Sequence, residues 1–320
     1  MNTTAEDTTT IAALPQLAGG LFLTDAGLET SLIHDAGLDL PDFTTFGLLD
    51  TANGRRVLTR YYERYVDIAA LHGRGAVLET ATWRASPDWI TSQGYPAGDV
   101  DRLNRLAVDV LKDVRARHGG TTVVVSGCVG PRHDGYVADL ASDRVAARDY
   151  HSAQVQSFVD AGVDLVTATT MTTPQEGLGI VDAAQALAIP VVVSFTVETD
   201  GRLPDGTSLA DAISHVDDAT GAYPAYYMVN CAHPVHFASV VGAEAPGAGR
   251  IRGVRANSSM LSHAELDESI DLDRGDPDDL AQRYLGLLAA NPGLTVLGGC
   301  CGTNEDHIAA IATALEGTRS

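Results

Sequence analysis

Eight short apolar runs, each followed by a stretch with helical spacing, set the limits on what this 320-residue chain can fold into. The runs lie at 20–25, 76–80, 121–126, 163–168, 189–195, 226–230, 250–255 and 295–299. Between them apolar residues recur every three or four positions, as in Val57, Leu58, Tyr61, Tyr65, Ile68 and Leu71, the mark of a helix with one buried face. This spacing predicts helices near 54–72, 98–118, 142–161, 174–188, 208–217, 234–242, 277–290 and 304–316. Strands that are apolar along their whole length are buried on both faces, which requires a parallel sheet covered by helices. Eight such units predict an α/β fold closed into a (β/α)8 TIM barrel. An open doubly wound sheet is the alternative, and no Gly-x-Gly-x-x-Gly follows an early strand to favour it.

No composition break divides the chain. Residues 1–19 are Thr- and Ala-rich and lack the basic start and apolar centre of a signal peptide, so they read as a flexible N-terminal tail ahead of a barrel domain at 20–320. A cytoplasmic location is the expectation. No apolar run approaches the roughly 18 residues a membrane span needs. The 42 acidic residues against 21 basic ones give a net charge of −21, which repels nucleic acid phosphates and anionic lipid. Neither nucleic acid nor membrane is an expected partner, and the oligomeric state is left open.

In a TIM barrel the reacting groups gather where strands run into their following loops. That rule brings Asp25, Glu79, Cys128, Thr169, Cys231, Cys300 and Cys301 to one rim. Four cysteines are too few for a disulfide scaffold in a chain of this size, which leaves metal binding or catalysis. Cys300 and Cys301 are adjacent after two glycines, and Cys231 ends the sixth run. Three thiolates suit a tetrahedral Zn²⁺ whose fourth position is open to water or substrate. Ordinary buried packing is the competing reading for a single cysteine. A closed site with His233 or Cys128 as fourth ligand is a further option.

The segments Asp25-Ala-Gly-Leu-Glu-Thr30, Gly127-Cys-Val-Gly-Pro131, Ser194-Phe-Thr-Val197, Asp205-Gly-Thr-Ser208, Val229-Asn-Cys231 and Gly298-Gly-Cys-Cys-Gly-Thr303 resemble, in order, those of the homocysteine S-methyltransferase family. The resemblance implies a (β/α)8 barrel, a zinc ion held by Cys231, Cys300 and Cys301, and methyl transfer onto a zinc-bound thiol, with methionine as product where that thiol is homocysteine. It also implies a carboxylate grip on the amino group of homocysteine. Asp25 matches one such carboxylate, but Thr169 stands where the family carries a glutamate, and Ala26 and Glu29 replace two family glycines. A hydroxyl cannot supply a carboxylate's charge-assisted hydrogen bond. The grip has then moved, to Glu79 or Glu29, or the acceptor is a different thiol or selenol. Trp83 and Arg84 follow the second strand on the expected donor side, where an indole can face a sulfonium and a guanidinium can pair with a carboxylate; packing under the loop is the plain alternative. Asn230 is expected to order the loop around the metal. S-methylmethionine or S-adenosylmethionine is the expected donor, with a betaine-type donor second. A zinc hydrolase or a non-catalytic zinc-binding barrel are the readings from other classes.

Overall fold

The computed structural model describes residues 14–269 and 271–317. Eight parallel strands close in sequence order into one barrel: β1 Phe22–Thr24, β2 Gly75–Glu79, β3 Val123–Val129, β4 Leu165–Met171, β5 Val191–Phe195, β6 Tyr226–Asn230, β7 Ile251–Ala256 and β8 Val296–Gly299. β1 completes the ring by pairing with both β2 and β8. The helices after successive strands are α1 Ala52–Leu71, α2 Asp99–Arg117, α3 Arg144–Ala161, α4 Pro174–Ala186, α5 Leu209–Thr220, α6 Pro234–Val241, α7 Pro277–Ala290 and α8 Glu305–Ala314. Several carry the start signals their sequence offers. Thr51, Asp143, Thr173, Ser208 and Asp276 each accept a backbone N–H in the first turn of the helix they precede. No helix among the described residues is long and apolar enough to cross a membrane.

Alternation along the strands decides what the barrel holds. Phe22, Val77, Val124, Leu165, Val192 and Val296 form an apolar layer distinct from the larger core under the helices. Two residues further along, the same strands present Thr24, Glu79, Ser126, Thr167, Ser194 and Gly298 to the interior. The interior thus turns from apolar to polar toward the strand ends, where Ser126 and Thr167 hydroxyls bond each other at 2.7 Å.

Two departures from the sequence reading have a physical origin. The third strand does not stop at residue 126: β3 continues to Val129, and the missing side chain of Gly127 admits the Phe158 ring of α3, whose Cδ2 would lie 2.5 Å from a Cβ there. The expected tail does not extend to residue 19. Leu14 is buried against the apolar barrel layer, and the Gln16 amide donates to the Tyr226 hydroxyl at 3.3 Å. Residues 1–13 of that tail lie outside the described residues.

Candidate active site

The ends of β6 and β8 bring three sulfurs together. Cys231 Sγ lies 2.8 Å from Cys300 Sγ and 3.6 Å from Cys301 Sγ, and all three fall within 4.8 Å of one another. The chain does not reach this arrangement without strain. Cys231 has φ +56° and Thr170 φ +65°, a left-handed conformation that costs a residue with a Cβ on the order of 1–3 kcal/mol. Fixed partners hold both. Asn230 Oδ1 accepts from the Thr170 N–H at 3.0 Å and from Ser194 Oγ at 2.6 Å, while its Nδ2 donates to Thr170 Oγ1 at 2.8 Å and faces Cys300 Sγ at 3.9 Å. Cys231 donates its N–H to the Arg255 carbonyl at 3.2 Å, and its own carbonyl accepts from His263 Nε2 at 2.7 Å. Gly27 is required here, because a Cβ would meet the Cys300 carbonyl oxygen at 2.6 Å.

The thiols do not ionise alike. Hydrogen bonds from Cys231 and Cys300, helped by the Tyr136 hydroxyl at 3.5 Å, push the Cys301 thiol well below its ordinary range. Cys231 is pushed up by its contacts with Cys300 and Cys301 and by burial. Three thiols this close, with one favouring the thiolate, form a donor set that fits a thiophilic metal ion. Neither a histidine nor a carboxylate belongs to the cluster. His233 instead caps α6, accepting the Val235 N–H at 3.4 Å, and Cys128 turns to Thr169 Oγ1 at 3.6 Å, so neither belongs to the three-sulfur cluster.

Beside the sulfurs lies a charged floor. Arg255, buried at the end of β7, reaches Glu79 Oε2 through Nη1 at 2.7 Å and Asp25 Oδ1 through Nη2 at 2.9 Å. Its Nε donates to the Gly299 carbonyl at 3.1 Å and Nη2 to the Ala26 carbonyl at 3.2 Å. Thr169 Oγ1 donates to the same Glu79 oxygen at 3.4 Å. Burial raises the Asp25 carboxyl to about 7 despite the guanidinium beside it, and burial likewise raises Glu29 to about 7. Of the two carboxylates expected to receive a displaced grip, Glu79 is therefore already engaged by an internal cation.

Both sides open into a cavity of about 320 Å³, also lined by Trp83, Arg84, Tyr136 and Asn257. The Arg84 guanidinium lies between two indoles, 4.8 Å from the Trp83 ring centre and 4.1 Å from that of Trp89. It donates to the Asp42 carbonyl, and its Nε has no hydrogen-bond partner. Trp83 both lines the cavity and packs under the loop, with Gly130 and Gly135 fitted against it. The sequence reading missed Arg255, Tyr136, His263 and Asn257. Tyr136 stacks on the His263 ring at 4.2 Å, and His263 Nδ1 faces Glu198 Oε1 at 3.0 Å. Nothing local marks Arg255, whose place follows from the register of β7 with β6 and β8.

A homocysteine S-methyltransferase family model matches residues 22–315. The chain belongs to that family. As a member it is a thiol S-methyltransferase. Homocysteine S-methyltransferase 1 of Arabidopsis thaliana is 21% identical over 332 residues, covering 93% of this chain and 94% of the relative. Selenocysteine Se-methyltransferase of Brassica oleracea var. italica is 22% identical, covering 100% and 96%. Among solved structures, the homocysteine methyltransferase MmuM from Escherichia coli superposes with TM-scores of 0.74 in its oxidized form and 0.71 in its metallated form, each at 21% identity. These forms cover 96% and 91% of this chain, and 99% and 96% of their own.

Proposed function

We propose that this chain is a zinc-dependent S-methyltransferase that moves a methyl group from a small sulfonium donor to a thiol or selenol. The observation that carries the reading is the three-sulfur cluster at the mouth of a 320 Å³ cavity. Cys231, Cys300 and Cys301 would hold the zinc. Bound there, zinc supplies the Lewis acidity that keeps an acceptor thiol deprotonated at neutral pH. An all-sulfur donor set suits thiol chemistry over the water activation of a zinc hydrolase, which draws on histidine and carboxylate ligands.

The remaining work falls to the chain's own side chains. His263 holds the Cys231 carbonyl, Arg255 holds the Gly299 carbonyl before Cys300, and Asn230 faces the Cys300 sulfur, so the cluster is preorganised before substrate arrives. Trp83 and Tyr136 give the cavity aromatic walls able to face a sulfonium. Asp134, Asp267, Asp271 and Asp273 line its mouth and favour a cationic donor over an anionic one. In the transfer the acceptor sulfur forms a bond to the methyl carbon as the carbon–sulfonium bond breaks. The electron pair of that bond leaves with a neutral thioether, and the proton lost by the acceptor thiol passes to solvent.

S-methylmethionine and S-adenosylmethionine are the donors of first choice, with a betaine-type donor next. The test is transfer of an isotopically labelled methyl group from each donor to a panel of thiols and selenols. Labelled thioether from a sulfonium, lost together with bound zinc in Cys300→Ser, is expected. Zinc at full occupancy with no labelled thioether from any donor would overturn the proposal.

A further inference from the structure

The acceptor's sulfur is confined to the thiol cluster, so whatever substituent it carries a few bonds away must lie over the floor formed by Asp25, Glu79 and Arg255. Arg255 is tied to both sulfur-bearing strand ends. Its carbonyl accepts the Cys231 N–H at 3.2 Å, and its Nε donates to the carbonyl of Gly299, the residue before Cys300. Its guanidinium then spans the two floor carboxylates at 2.7 and 2.9 Å. Any cation brought to this floor must displace those ion pairs or sit beside a buried guanidinium, and juxtaposed like charges are strongly disfavoured at a desolvated site.

The rest of the floor offers no substitute grip. Thr169 contributes a hydroxyl already given to Glu79 at 3.4 Å. Glu29 is the remaining carboxylate. It lies within Coulomb reach of both Arg255 and Arg84, and its burial favours the neutral acid. Among the cavity-lining side chains, the buried atoms without a hydrogen-bond partner are Asp25 Oδ1, which is ion-paired with Arg255 at 2.9 Å, Trp83 Nε1, Arg84 Nε and the oxygen of the Asn257 amide, a residue only 2% exposed. That amide matches a neutral polar group.

We propose that Arg255 determines acceptor specificity: its guanidinium fills the cation position between Asp25 and Glu79, so the acceptor is a thiol or selenol without an ammonium group near its sulfur. The inference rests on the methyl-transfer reading above and narrows its acceptor.

Two matched pairs isolate the ammonium: homocysteine against 4-mercaptobutyrate, which lacks only the amino group, and cysteamine against propane-1-thiol. For the zinc-loaded full chain, kcat/KM and calorimetric binding are expected to favour the ammonium-free member of each pair by about tenfold or more. Arg255→Met, which removes the internal cation, is expected to reverse the ratio toward the ammonium members. A general loss of structure lowers all four thiols and leaves the ratio alone, and if that variant does not fold the wild-type ratios decide. Equal values, or a preference for homocysteine and cysteamine, overturn the proposal while leaving the methyltransferase reading intact. Loss of such a preference in Glu29→Gln would assign the grip to Glu29. No methylation of any of the four thiols would bring down both readings.

Discussion

The two halves of the cavity solve opposite problems. On the sulfur side, Cys231, Cys300 and Cys301 crowd within 4.8 Å, and strained backbone at Cys231 and Thr170 is held in place by Asn230 and His263. On the floor side, Asp25, Glu79 and Arg255 are all buried, and the guanidinium forms ion pairs with both carboxylates. One half offers a donor set that fits a cation, and the other carries a cation of its own. One barrel rim thus gives an uncompensated donor set on one side and ion-paired carboxylates on the other.

Three perturbations break or sharpen this contrast, in descending order of effect. Arg255→Met strips the floor of its cation and leaves two buried carboxylates unpaired, so urea denaturation is expected to show a loss of about 3–5 kcal/mol. A variant as stable as the wild type would mean that the floor carboxylates do not depend on the guanidinium. Asn230→Ala acts on the other half, releasing Thr170 and the strand end that carries the cluster. Competition with a chelator is expected to find metal bound about 10–100-fold more weakly, with little change in the floor. Unchanged metal affinity would show that the sulfurs need no such support.

The smallest effect is on pH dependence. Burial raises Glu29 to about 7, so the folded state keeps a proton that the unfolded state gives up near the ordinary carboxyl value. That contribution is fully present below the unfolded value and is lost as pH rises through about 7. Between pH 5 and pH 8 the wild type is expected to lose about 1–2 kcal/mol more stability than Glu29→Gln, measured by denaturation at each pH. Parallel curves for the two proteins would place Glu29 in solvent-like surroundings.

The two halves also differ in how far the sequence discloses them. The sulfur side is written in two local motifs, Asn230-Cys231 and Cys300-Cys301, and eight strand-helix units suffice to bring them to one rim. The floor is written nowhere locally. Arg255 meets Glu79 across 176 residues of chain, and nothing in the run Gly253-Val-Arg-Ala256 distinguishes an inward arginine from one at a solvent-facing strand edge. Glu79 looked like a free carboxylate for the same reason. Barrel closure and strand order follow from hydrophobic period, but which charge neutralises which depends on register between strands that are distant in sequence. Strand ends were misjudged where a glycine serves packing, as Gly127 does against Phe158, because composition alone does not separate a turn glycine from a close-contact one.

Titration of metal-free protein with Zn²⁺, following methyl transfer from S-methylmethionine to a thiol at each addition, tests the role of the sulfur cluster most directly. Activity should rise in proportion to zinc and level off at one ion per chain, with no response in Cys300→Ser. Full transfer in zinc-free protein, or one bound zinc per chain with no thiol-dependent transfer, would contradict it.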